Sequence, residues 1–170
     1  MGAIEEQLID SSRVIADIVV TNIGKSQELF DQALALMLAD KYPLSMRAAR
    51  VVQLSAEKYP EMLRPHIQTL INTLLKSKID GVKRCTLKVL LETKVFIDEE
   101  QLGELADICF RFASEPGEAI AIRAFSIDIL FKVVKKYPEI KPELKAILES
   151  VTIDASAGLK NKCTKLLKVL

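Results

Sequence analysis

Four times along the chain a cation stands directly before a small residue near the start of an apolar helical stripe. The pairs are Arg47-Ala48, Arg84-Cys85, Arg123-Ala124 and Lys162-Cys163, at separations of 37, 39 and 39 residues. A second echo keeps the same period. Lys58-Tyr59-Pro60-Glu61-Met62 leads into an apolar helix, and Lys136-Tyr137-Pro138-Glu139-Ile140 does so 78 residues later, with Pro65 and Pro142 following in each case. A fixed period of this length constrains the fold more than composition does. Each unit is one supersecondary element that cannot bury its apolar face alone and must stack on its neighbours.

Within each period the apolar spacing is helical. Ile4, Leu8, Ile15 and Val19 predict a first helix over 3–20, closing at Asn22-Ile23-Gly24. Phe30, Ala33, Leu34 and Met37 fall at i, i+3, i+4 and i+7, as do Ile67, Leu70, Ile71 and Leu74. Leu102, Leu105, Ala106, Cys109, Phe112 and Ala113 follow Asp98-Glu99-Glu100-Gln101, which is an N-cap with Gln at the third helical position. Leu159, Cys163, Leu166 and Leu170 close the chain in register. Val95-Phe96-Ile97 is the one strand-like run, too short and isolated to pair. These patterns predict an all-α chain of about nine helices, folded as a single domain over 1–170.

An early Pro in a front helix (Pro65, Pro142), a short turn, and a back helix opening on Arg and a small residue (Met46-Arg47-Ala48-Ala49, Ile122-Arg123-Ala124) resemble the HEAT/armadillo class, specifically HEAT-like repeats. The resemblance implies an α-α superhelix of about four helix pairs, near 26–58, 61–94, 98–136 and 139–170, plus the N-terminal helix. It also implies a non-catalytic interaction scaffold. The turn Asp is irregular, since Asp40 precedes Arg47 by seven residues but Asp80 precedes Arg84 by four. Arg47 and Arg123 are expected to bond acids or carbonyls at repeat junctions. Tyr42, Tyr59 and Tyr137, each before a Pro at a helix end, are expected to pack and hydrogen-bond there.

Residue usage argues against chemistry. His66 is the sole His and is expected to be a partly exposed surface side chain; one imidazole supports neither a multi-histidine metal site nor a Ser-His-Asp, Cys-His or Glu-x-x-His arrangement. Cys85, Cys109 and Cys163 share no short spacing and sit among apolar residues, so buried reduced thiols are expected. Asp98-Glu99-Glu100 places acids in a first helical turn, where they favour the helix dipole. Gly81, Gly103, Gly117 and Gly158 form no phosphate-binding pattern. No catalytic residue, metal ligand or cofactor is expected, and the chain is not expected to be an enzyme. The acidic opening Met1-Gly2-Ala3-Ile4-Glu5-Glu6 lacks a signal peptide's basic start. Glu6 also stands where a myristoylation motif needs Ser or Thr. With no uncharged run near ~18 residues, a cytoplasmic protein without a membrane partner is expected.

Charge is the most informative functional feature. The chain carries a net +1, but segments 1–40, 41–94, 95–131 and 132–170 carry −5, +7, −6 and +5. Back helices line the concave side of HEAT-like stacks. Helical spacing groups their polar residues as Arg50, Gln53 and Glu57; Arg84, Lys88 and Glu92; Asp128, Lys132 and Lys135; and Asn161, Lys165 and Lys168. The expected partner-binding residues are therefore Arg50, Arg84, Lys88, Lys132, Lys135, Lys165 and Lys168, facing a protein or acidic peptide. Two other classes remain: a DNA-binding protein resembling the HEAT-like alkylation-repair glycosylases, and an accessory subunit of an enzyme. The apolar ending Leu166-Leu167-Lys168-Val169-Leu170 leaves two outcomes, a terminus folded back on its own repeat or a weak homodimer.

Overall fold

The computed structural model describes residues 3–170; Met1 and Gly2, on which the acylation reading rests, lie outside them. Nine α-helices form among the described residues: α1 (Arg13–Ile23), α2 (Gln27–Leu38), α3 (Leu44–Lys58), α4 (Ile67–Lys76), α5 (Asp80–Glu92), α6 (Glu99–Ser114), α7 (Ile120–Lys136), α8 (Lys141–Asp154) and α9 (Ala157–Leu167). No strand occurs among the described residues, and 95–97 are irregular. Three short 3-10 turns, Glu5–Gln7, Pro60–His66 and Pro138–Ile140, precede α1, α4 and α8. The fold class is thus all-α, and α2/α3, α4/α5, α6/α7 and α8/α9 reproduce the four pairs predicted from the period.

The N-terminal helix departs from expectation. It runs over 13–23 rather than 3–20, because Ser12 in extended backbone accepts a hydrogen bond from the Ile15 amide and starts the helix there. Ile4 and Leu8 are still buried, held by the 3-10 turn rather than by α1. Gly24 ends the helix at φ 53°, a conformation that residues with a side chain rarely adopt.

Met1–Ile97 and Asp98–Leu170 form two compact units. In the first, α3 packs against α1, α2 and α5. Its small residues Ala48, Ala49, Ser55 and Ala56, all buried, let those neighbours approach closely. Phe30, Met37, Leu63, Leu70 and Leu74 fill the core, each contributing about 1.5–3 kcal/mol of transfer free energy. The polar links in this unit span about one repeat. Arg47 Nη1 donates to the carbonyls of Leu8 and Ile9, both at 2.9 Å. Asp40, in the left-handed region at φ 51°, accepts from the Ser77 hydroxyl at 2.7 Å and the Lys78 amide at 3.3 Å, joining the turns of successive pairs. His66 Nε2 lies 2.7 Å from Asp31 Oδ1, joining the two front segments.

In the second unit α6 packs on α7, and α8 on α9. Asp98 and Gln101 form a reciprocal capping box at the start of α6, as the sequence predicts. α7 is buried along one broad face by Ile122, Ile129 and Val133 and by the adjoining Ile127, Leu130 and Val134. Tyr137 donates to Glu99 at 3.1 Å inside its own pair rather than across a repeat junction. Tyr42 is 73% exposed, while Lys58 lies over the Tyr59 ring, 5.5 Å from its centroid.

Candidate functional site

The polar faces of α3 and α5 meet in the first unit, and their charge is zoned along the helices. Arg47 and Arg50 on α3 and Arg84 on α5 line a pocket of about 120 Å³ whose far wall is Leu8, Asp10, Ser11, Ser12, Ile15 and Ala16. Toward the other end Gln53 and Glu57 on α3, with Glu92, Thr93 and Lys94, line a second pocket of about 230 Å³. A string of hydrogen bonds connects the zones: Arg50 Nη1 donates to Gln53 Oε1 at 3.2 Å, and Gln53 Nε2 donates to Glu57 Oε1 at 2.7 Å. Gln53 is therefore not on a solvated face; it is 3% exposed and serves as the buried middle of this string. Lys88 is half-buried and pairs with Glu92 one turn on. Arg84 is exposed, and its guanidinium lies beside the Cys85 thiol.

Asp10 sits on the arginine pocket's rim. Its carboxylate accepts the Ser12 amide at 2.7 Å, and the Ser12 hydroxyl and amide, with a smaller contribution from Arg47, hold its pKa below the ordinary carboxylate value.

The second unit presents its own basic face. Lys162 on α9 pairs with Asp128 on α7 at 2.5 Å. The next turns on the same faces carry Lys132 and Lys135 on α7 and Lys165 on α9, with Lys168 just beyond the helix; all four are exposed. Lys135 lies over the Phe131 ring, 4.8 Å from its centroid. The seven cations expected at a binding surface thus sort into Arg50, Arg84 and Lys88 on the first unit and Lys132, Lys135, Lys165 and Lys168 on the second.

Sequence spacing missed two features. Arg47 joins Arg50 and Arg84 because the 8–12 segment folds over α3, a contact no helical period announces. On the second unit, Glu99, Asp107, Glu139 and Glu143 ring an apolar groove of about 280 Å³ floored by Leu102, Ala106, Phe110 and Ile140. The −6 charge of 95–131 was the available signal for part of it.

No group of three or more His, Cys, Asp or Glu side chains able to hold a metal ion occurs among the described residues. Cys85, Cys109 and Cys163 are free and buried, and burial raises all three thiol pKa values, that of Cys109 to about 12. No described helix is long and apolar enough to cross a membrane.

Helix pairs recurring about every 39 residues, joined in the first unit by side chains one repeat apart, define an α-helical repeat protein. The family model for the HEAT repeat domain matches residues 5–170, and the chain belongs to that family. No curated protein and no solved structure matches.

Proposed function

We propose that the chain works as a single non-catalytic HEAT-like scaffold that binds an acidic peptide or protein through the polar faces of its back helices. The observation that carries this reading is the set of exposed cations Arg84, Lys132, Lys135, Lys165 and Lys168, drawn from α5, α7 and the α9 end. HEAT repeats typically mediate protein interactions, which agrees with a scaffold. Exposed charges of this kind steer and select a partner more than they add affinity, so binding should weaken as salt rises. The reading includes a cytoplasmic setting.

The test is retention of a graded series of Glu-containing peptides on the immobilised protein. Wild type should retain the most acidic members at low salt. The variant Lys132→Glu, Lys135→Glu, Lys165→Glu, all at exposed positions, should release them with its melting temperature little changed, since surface substitutions stay within about 0.5 kcal/mol each. Equal retention by the triple variant removes the basic faces from the function.

A further inference from the structure

The pocket between α3, α5 and the start of α1 is built differently from the lysine faces. Three guanidinium groups, Arg47, Arg50 and Arg84, line one concavity with the hydroxyl-bearing pair Ser11 and Ser12. No carboxylate lies within ion-pair distance of any of the three among the described residues. Each guanidinium has five N–H donors. Arg47 commits only Nη1, to the Leu8 and Ile9 carbonyls, and its Nε is buried with no hydrogen-bond partner. Arg50 commits Nη1 to Gln53. Opposite them, the start of α1 contributes the positive end of its dipole; the Ser12, Ile15 and Ala16 amides there are already bonded to Asp10, the Ser12 hydroxyl and the Ser12 carbonyl.

We propose that Arg47, Arg50 and Arg84 form a seat for a phosphate monoester, a dianionic group borne on a phosphorylated serine or threonine of the partner or supplied as free phosphate. This rests on the acidic-partner reading and names the ligand chemistry at its first-unit end. Arginine suits the task because its planar fork meets tetrahedral oxyanions with paired N–H donors, where lysine offers a point charge. A phosphate carries about −1.5 to −2 charge at neutral pH and three acceptor oxygens, which matches three cations offset by one acid. That acid is Asp10. Its carboxylate already occupies the Ser12 amide, so it acts as a built-in competitor for an incoming anion.

The experiment uses the full chain and four probes: inorganic phosphate, a short Gly/Glu peptide carrying one phosphoserine, the same peptide unphosphorylated, and a single-stranded oligonucleotide. The phosphopeptide is expected to bind at least about tenfold tighter than its unphosphorylated form, the gain of one or two charge-assisted hydrogen bonds. Arg50→Gln and Arg84→Gln should each remove that preference, and Asp10→Asn should strengthen it. Arg84 is exposed, so its variant also reports binding without a folding defect. Competition by inorganic phosphate at equal affinity assigns free phosphate as the source; a clear phosphopeptide advantage assigns the partner. Equal binding of the two peptides, or a preference untouched by both arginine variants, overturns the seat. An oligonucleotide that outcompetes the phosphopeptide overturns the monoester assignment in favour of a diester backbone. The lysine variant Lys132→Glu, Lys135→Glu, Lys165→Glu, confined to the second unit, separates the two readings. If it loses general acidic-peptide retention but keeps the phosphoserine preference, the seat stands apart from the lysine faces. If the seat alone fails, retention of unphosphorylated acidic peptides persists.

Discussion

Arg123 donates from Nε to the carbonyl oxygen of Ala113 at 3.2 Å, and the residue is only 7% exposed. A guanidinium from the first turns of α7 thereby closes the C-terminal end of α6, satisfying a carbonyl the helix cannot pair internally and complementing the negative end of its dipole. The bond lies inside one helix pair, whereas Arg47 reaches the preceding segment, so the repeated cation braces its pair in one case and a junction in the other. Replacing Arg123 with Met should cost about 1–3 kcal/mol, as for a hydrogen bond to a charged group. A urea midpoint unchanged from wild type would show that the contact contributes nothing.

The start of the second unit rests on two side chains. Asp98 accepts the Gln101 amide at 2.8 Å, and Gln101 Oε1 accepts the Asp98 amide at 3.3 Å. Asp98→Ala should therefore destabilise by about 0.5–2 kcal/mol, the range for losing an N-cap side chain. Hydrogen exchange at the first turn of α6 is the readout, and protection there should fall before the rest of the unit changes. Equal protection in the variant would place the helix start under tertiary control instead.

Much of this architecture was legible because the 3.6-residue period is written in apolar residues whose burial needs no knowledge of partners, and the period of about 39 in recurring cation–small pairs and Lys-Tyr-Pro-Glu runs. The pair boundaries follow from those periods, and the Asp98 cap from the local Asp98-to-Gln101 spacing. Polar partners were not legible. Asp31 and His66, or Asp40 and Ser77, meet only because successive pairs stack in a particular register, and nothing local in either sequence stretch specifies the other. Gln53 shows the same limit on the candidate site. Helical spacing places it beside Arg50 and Glu57, but only the closeness of α5 makes it a buried connector. The N-terminal helix start failed for a local reason. The apolar residues Ile4 and Leu8 fit a helical period, yet the polar run Asp10-Ser11-Ser12 breaks the helix and recaps it.

Gly81, in the first turn of α5, is held by a close neighbour rather than by its backbone angles. A Cβ built there would lie 2.5 Å from Met46 Cγ on α3. Gly81→Ala gains about 1 kcal/mol of helix propensity but must displace Met46, at an overpacking cost of about 1–3 kcal/mol. The single variant should be neutral to destabilising, and in a Met46→Ala background the same change should become stabilising. A double-mutant cycle on denaturation free energies measures the coupling. Additive effects would mean that Met46 moves aside without cost.

Cys109 ties stability to alkaline pH. Burial raises its pKa to about 12, with a smaller opposing effect from Ser126. An unfolded thiol titrates near 8.5. The folded state therefore holds the proton more tightly, and the stabilisation it confers is complete below the unfolded value and declines as pH rises from about 9 toward 12. The slope contributed by this one group approaches about 1.4 kcal/mol per pH unit in that window. Lysines and tyrosines titrate there as well, so the quantity to measure is the difference in denaturation free energy between the wild type and Cys109→Ala across pH 8 to 11. That difference should shift in the variant's favour as pH rises. A parallel pair of profiles would mean the thiol is less enclosed than its 0% exposure indicates. Thiol-reagent kinetics at pH 8 offer an independent check: in a Cys85→Ala, Cys163→Ala background, modification of Cys109 should track the opening of the second unit and accelerate in denaturant.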